Sequence, residues 1–152
     1  MPAKPIPDPR QPLAPYLIVK NATEAIAFYV RAFGATEKYR LAEPSGKIGH
    51  AELDVAGGLV MVADEYPDFG ALSPPTIGGT PVSIHLYVAD VDALVARAEA
   101  AGATVLRPLT DEFFGDRVAM LVDPFGHKWH LATHKEDVSP AEMQRRMDAA
   151  YA

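Results

Sequence analysis

The chain comes close to repeating itself. Gly34-Ala35-Thr36 recurs as Gly102-Ala103-Thr104 at an offset of 68 residues, and Asp54-Val55-Ala56-Gly57 recurs in type as Asp123-Pro124-Phe125-Gly126 at an offset of 69. One single-residue length change reconciles the two offsets, and the Asp-x-x-Gly spacing reads as a type I turn. Repetition at this spacing means one supersecondary unit used twice. In the first copy Leu17-Ile18-Val19 runs into Asn21, then into Ala25, Ile26, Phe28, Tyr29, Ala32 and Phe33 at helical spacing. In the second, residues 84–88 run into Asp90, then into Val91, Leu94, Val95 and Ala98. Each is a strand feeding a capped amphipathic helix, with a glycine placed for a left-handed C-terminal cap. Three strands are predicted after each helix, at 37–42, 49–55 and 59–63, then at 104–108, 117–122 and 128–133. The unit is βαβββ.

A single helix leaves one sheet face of such a unit bare, so two units are expected to combine into one α+β domain at 13–134, with units at 13–64 and 82–134. Six prolines in the first fifteen residues remove donors and fix φ, so residues 1–12 read as an extended arm. Proline and glycine crowd the 65–81 linker, which reads as a loop, either a plain connector or a lid. Ser139, Pro140 and Glu142 spell a helix start, placing a terminal helix at 139–151.

Fourteen Lys and Arg against 20 Asp and Glu give a net charge of −6, with the basic residues scattered, which excludes a phosphate-neutralising surface for nucleic acid. No apolar run approaches the roughly 20 residues of a bilayer span, and the N-terminus lacks a signal-peptide core. With no cysteine the chain is expected in the cytoplasm, and any metal would need His, Asp or Glu.

Ala27-Phe28-Tyr29 and the run from Asp123 to Trp129 resemble the vicinal oxygen chelate superfamily, which includes glyoxalase I, bleomycin-resistance proteins and extradiol dioxygenases. Pro15-Tyr16-Leu17, Ala32-Phe33-Gly34-Ala35 and Phe114-Gly115-Asp116-Arg117 look like its PhnB-like branch. The resemblance implies a curved, half-barrel-like mixed sheet around a cleft, and a homodimer. In metal-using members a His or Gln comes from the first strand of a unit and a Glu from its last. Those positions fall here on Ala14 and Ser83, and on Met61 and His130. Only His130 is a convincing ligand, whereas catalytic zinc, nickel or iron wants at least three protein ligands, so no cofactor is expected. A rearranged divalent-metal set of His50, Glu52, His85 and His130 is the alternative.

Strand alternation puts Ser83, His85 and Tyr87 on one face, and Tyr16 on the face of Ala14. Tyr16 and Tyr87 are expected to offer hydroxyls to a ligand, and Phe113 or Phe114 to cap the pocket. Trp129, of opposite parity to His130, is expected in the core. Arg117 is either a structural ion pair or a ligand contact, His50 and His85 either packing or functional residues, and His127 and His134 solvated. Candidate ligand-binding residues are therefore Tyr16, Met61, Ser83, His85, Tyr87, Phe114, Arg117 and His130, with His130 the candidate catalytic residue. These residues point first to metal-free binding of a small organic molecule. A glyoxalase-type lyase or isomerase, using the rearranged metal set or His130 as base, is the second reading, and a dioxygenase the third.

Overall fold

Asn21 Oδ1 accepts a hydrogen bond from the Glu24 amide at 3.2 Å, and Gly34 at φ 67° closes the other end of the helix between them, α1 (Ala22–Phe33). The computed structural model describes residues 2–152 and divides into two units, the first ending at Gly79 and the second beginning at Thr80.

In the first unit β1 (Tyr16–Val19) precedes α1, and β2 (Thr36–Ala42), β3 (Ile48–Val55) and β4 (Gly58–Asp64) follow it. The sheet order is β1-β4-β3-β2, parallel between β1 and β4 and antiparallel elsewhere. Ala25, Ile26, Phe28, Tyr29 and Ala32 form the buried stripe of α1, against the sheet side carrying Leu17, Val19, Leu53, Val60 and Val62. Each large side chain buried there contributes about 1.5–3 kcal/mol.

The joining segment, read as loop, holds a 3-10 turn (Pro67–Phe69) and a short helix, α2 (Pro74–Ile77). Pro74 is tolerated at a first helical position because the amide it lacks has no intrahelical partner there. The Glu65 carboxylate accepts from the Ser73 amide and hydroxyl and from the Thr76 hydroxyl, which pins the segment in place.

The second unit repeats the plan with β5 (Ser83–Tyr87), α3 (Val91–Ala101), β6 (Thr104–Asp111), β7 (Asp116–Val122) and β8 (Lys128–His134), in the order β5-β8-β7-β6, and adds α4 (Pro140–Ala150). The architecture is α+β, as the repeat requires, with one four-stranded mixed sheet per unit. β6 continues past Pro108, beyond its expected end. It is an edge strand with register shifts on both sides of Arg107, so a missing ladder donor is accommodated there. Trp129 is buried, and its Nε1 donates to Asp123 at 3.0 Å.

Two features of the repeat differ from the sequence reading. The turn at Asp54 has Ala56 at φ 51° and Gly57 at φ 88° between the paired Val55 and Gly58, which is a type I′ hairpin rather than type I. The right-handed twist of paired strands favours that hand. Moreover, two length changes occur, not one. The helix caps Asn21 and Asp90 are 69 apart, the glycines after the helices 68, and the paired residues Met61 and His130 again 69. α3 is one residue shorter than α1, and the turn from β7 to β8 restores the residue.

One plan of closure serves both units, at residues the sequence did not single out. Buried Asp64 accepts from the Ala22 amide at 2.9 Å and the Ile48 amide at 2.7 Å. At the matching place Thr133 accepts from the Val91 amide at 2.9 Å and donates to the Val88 carbonyl at 2.8 Å. Each last strand thereby caps the helix that follows its own first strand. Among the described residues no helix is long and apolar enough to cross a membrane.

Candidate functional site

Ladder register decides which side chains share the sheet face turned away from α1 in the first unit and from α3 in the second. In the first unit Tyr16 stands opposite Met61, Met61 opposite Glu52, and Glu52 opposite Tyr39, with His50 two residues along from Glu52. In the second unit the same positions hold His85, His130, Met120 and Arg107, with Val118 in the place of His50. One framework thus carries two chemistries.

The first face is a hydrogen-bonded polar cluster. Tyr16 Oη lies 2.7 Å from His50 Nδ1, His50 Nε2 lies 3.0 Å from Glu52 Oε2, and Tyr39 donates to that same oxygen at 3.0 Å. The hydrogen bond from His50, then that from Tyr39, holds the Glu52 carboxyl below its usual range. Burial and the Glu52 charge push the Tyr16 phenol up.

The second face lines a cavity of about 490 Å³, within the range of small-molecule sites. His85 and His130 lie with ring centroids 5.7 Å apart, beside Val118 and Met120. Phe113 and Phe114, edge to face at 5.4 Å, line it from the β6–β7 turn, and Met147 and Tyr151 reach it from α4 and the residue after it. Arg107, ion-paired with Glu112 at 2.6 Å, completes the lining. Burial first, then the charges of His85 and Arg107, pushes the His130 imidazole below the ordinary histidine value. At neutral pH it is a neutral ring offering one donor and one acceptor.

The expected ligand-binding residues separate accordingly. His85, Phe114 and His130 meet at the cavity, whereas Tyr16 and Met61 belong to the first unit's face. Ser83 is exposed at the start of β5 and is not part of the cavity lining. The Tyr87 hydroxyl, expected to be available, is donated to Asp116 at 2.5 Å. Arg117 takes the ion-pair reading: its guanidinium holds Asp92 at 2.8 Å and Asp111 at 3.2 Å beside a polar hollow of about 770 Å³. His134 is exposed, as expected, but it is also bonded through both ring nitrogens, to Asp116 and Asp137 at 2.7 Å each, because β7 brings Asp116 directly opposite it.

The sequence reading missed Tyr39, Arg107, Val118, Met120, Met147 and Tyr151. Following the 68-residue offset through the middle strands would have found the first four, because it carries Tyr39 onto Arg107, His50 onto Val118 and Glu52 onto Met120. The metal positions implied by the resemblance offer a methyl, a thioether, a hydroxyl and one imidazole, at Ala14, Met61, Ser83 and His130. Such a donor set does not fit a catalytic zinc, nickel or iron ion. Among the described residues no group of three or more His, Asp or Glu is gathered to hold a metal ion.

Comparison with known proteins gives the same fold. The uncharacterized protein Rv0887c of Mycobacterium tuberculosis is 45% identical over 140 residues, covering 90% of this chain and 82% of the relative. The crystal structure of TioX from Micromonospora sp. ML1 matches with a TM-score of 0.62 and 31% identity, over 80% of this chain and 97% of that one. Protein PA1353 from Pseudomonas aeruginosa matches with a TM-score of 0.66 and 28% identity, over 82% and 98%. A family model matches residues 12–131, which spans both βαβββ units. The chain belongs to the glyoxalase/bleomycin resistance protein/dioxygenase superfamily.

Proposed function

We propose that the second unit binds a small, partly planar organic molecule in its histidine-lined cavity, without the metal of the catalytic superfamily members. The observation that carries this reading is the lining itself: two imidazoles 5.7 Å apart on a Val118 and Met120 surface, faced by the Phe113–Phe114 pair. An aromatic ligand gains about 0.5–1.5 kcal/mol from ring contacts beyond the area it buries. His130, kept neutral, fixes its orientation through a polar substituent. Within the superfamily we place the chain in the PhnB-like branch, on the motifs from Pro15 to Leu17 and Phe114 to Arg117, as a cytoplasmic homodimer.

A second reading is favoured by the lowered His130 value: a neutral imidazole at working pH can also take a proton from the ligand, as in a lyase or isomerase. Both readings require occupancy first. Titration with anilinonaphthalene sulfonate, a planar aromatic probe that fluoresces in apolar surroundings, measures it. Saturable binding is expected. His130→Leu, a near volume-conserving change, should weaken it at least about tenfold, or 1.4 kcal/mol, with little change in melting temperature. Val118→Trp should abolish it by filling the cavity. Unchanged affinity in both variants would sink the proposal.

A further inference from the structure

We propose that the face of the first sheet turned away from α1 is itself a chemical site, in which Tyr16 is a hydroxyl nucleophile activated by His50 and Glu52 toward small activated esters. The inference is independent of the second unit's cavity. It rests on hydrogen-bond directions that the groups themselves dictate. Glu52 Oε2 is approached by Tyr39 Oη and by His50 Nε2, both at 3.0 Å, and an ionised carboxylate can only accept. In the neutral form of His50 the hydrogen is therefore on Nε2. That leaves Nδ1 as an acceptor, and the Tyr16 hydroxyl 2.7 Å away donates to it. Hydroxyl, imidazole base and orienting carboxylate follow in the order that activates a nucleophile.

The surroundings suit this use. The four residues come from β1, β2 and β3, so strands rather than loops set the geometry. The Tyr16 and Tyr39 rings flank the imidazole at centroid distances of 5.4 and 5.8 Å. The Tyr16 side chain is not enclosed: the residue is 46% exposed. At the matching positions of the second unit, His85, Arg107, Val118 and Met120 form no such chain.

The step balances without an oxidant. Tyr16 Oη bonds to the ester carbonyl carbon while its proton passes to His50 Nδ1, and the imidazolium is paired with the Glu52 carboxylate. The ester C–O bond then breaks, the leaving group departs as its anion or takes the proton back, and the acyl group stays on Tyr16. Where the leaving group departs as its anion, the imidazolium first gives its proton to solvent. The neutral imidazole then takes a proton from water, the water oxygen bonds to the acyl carbon, the bond from that carbon to Tyr16 Oη breaks, and the imidazolium returns its proton to the phenolate as the acid leaves.

The test uses the full chain and p-nitrophenyl acetate, reading p-nitrophenolate release and locating the acetyl group by peptide mass spectrometry. Tyr16 should be acetylated faster than Tyr39, which is 44% exposed but bonded to a carboxylate, and faster than Tyr151, which is 84% exposed. Tyr16→Phe should abolish the fast phase. His50→Gln should slow it by about 100-fold and Glu52→Gln at least about tenfold, as removal of a general base and of its orienting group demands. Nitrogen NMR of the unmodified chain, which needs no substitution, should find the His50 hydrogen on Nε2. Acetylation of Tyr16 no faster than that of Tyr151, or a hydrogen found on Nδ1, would overturn the proposal.

Discussion

His134 is held between two carboxylates, Asp116 at Nδ1 and Asp137 at Nε2. A neutral imidazole has one donor, so only the protonated ring satisfies both neighbours. The hydrogen bond to Asp116, then that to Asp137, raises its pKa above the ordinary 6.5. A raised value in the folded chain means stability that is fully present below about pH 6.5 and lost as pH climbs through the folded value. Between about pH 6 and about pH 8 the wild type should therefore lose more melting temperature than His134→Asn. Equal losses in scanning fluorimetry would remove the histidine from the pH response. His130 acts in the other sense, since a lowered value gives stability that is present above the ordinary pKa and lost as pH falls through the folded one. The comparison must accordingly be variant against wild type. The sequence placed His134 correctly at a strand exit but could not show its partner, because Asp116 is eighteen residues away and meets it only through the β7–β8 register.

Among the elements, α4 is the one whose removal separates binding from folding. It contributes no buried residue. Arg146 fastens it, donating to the Phe113 carbonyl at 2.9 Å and pairing with Glu136 and Glu142. Arg145 and Arg146 together hold the Glu142 carboxyl down at about 2. Deleting residues 139–152 should leave the melting temperature within a few degrees, while weakening the fluorescent probe about tenfold as Met147 and Tyr151 leave the cavity. A collapse of the melting transition would show instead that α4 belongs to the folding unit. Helix starts like this one were legible because their signals are local: Asn21, Asp90 and Ser139 each accept from the amide three residues on. The hand of the Asp54 turn and the run of β6 through Pro108 were not, because strand pairing rather than the residues themselves decides both.

At the scale of the molecule, the repeat was the legible part, and it was enough to give two βαβββ units. β2 is a sheet edge exposed along nearly its whole length, with Tyr39 44% and Leu41 60% exposed, and bare edges of that kind invite pairing or cover. We expect a homodimer, with light scattering at micromolar concentration giving twice the 16.4 kDa of one chain. The mass of a single chain would refute it. A different consequence follows from the parallel pairing of β1 with β4. Every ladder partner of the first sheet lies between Tyr16 and Asp64, so on a ribosome that sheet has all its strands before residue 80 is made. Its hairpins join near neighbours, whereas β1 must wait for β4, across a loop whose closure costs more entropy. We expect the first strand to emerge to be the last to dock, on the same final strand whose Asp64 caps α1, as Thr133 of the last strand caps α3 in the second half.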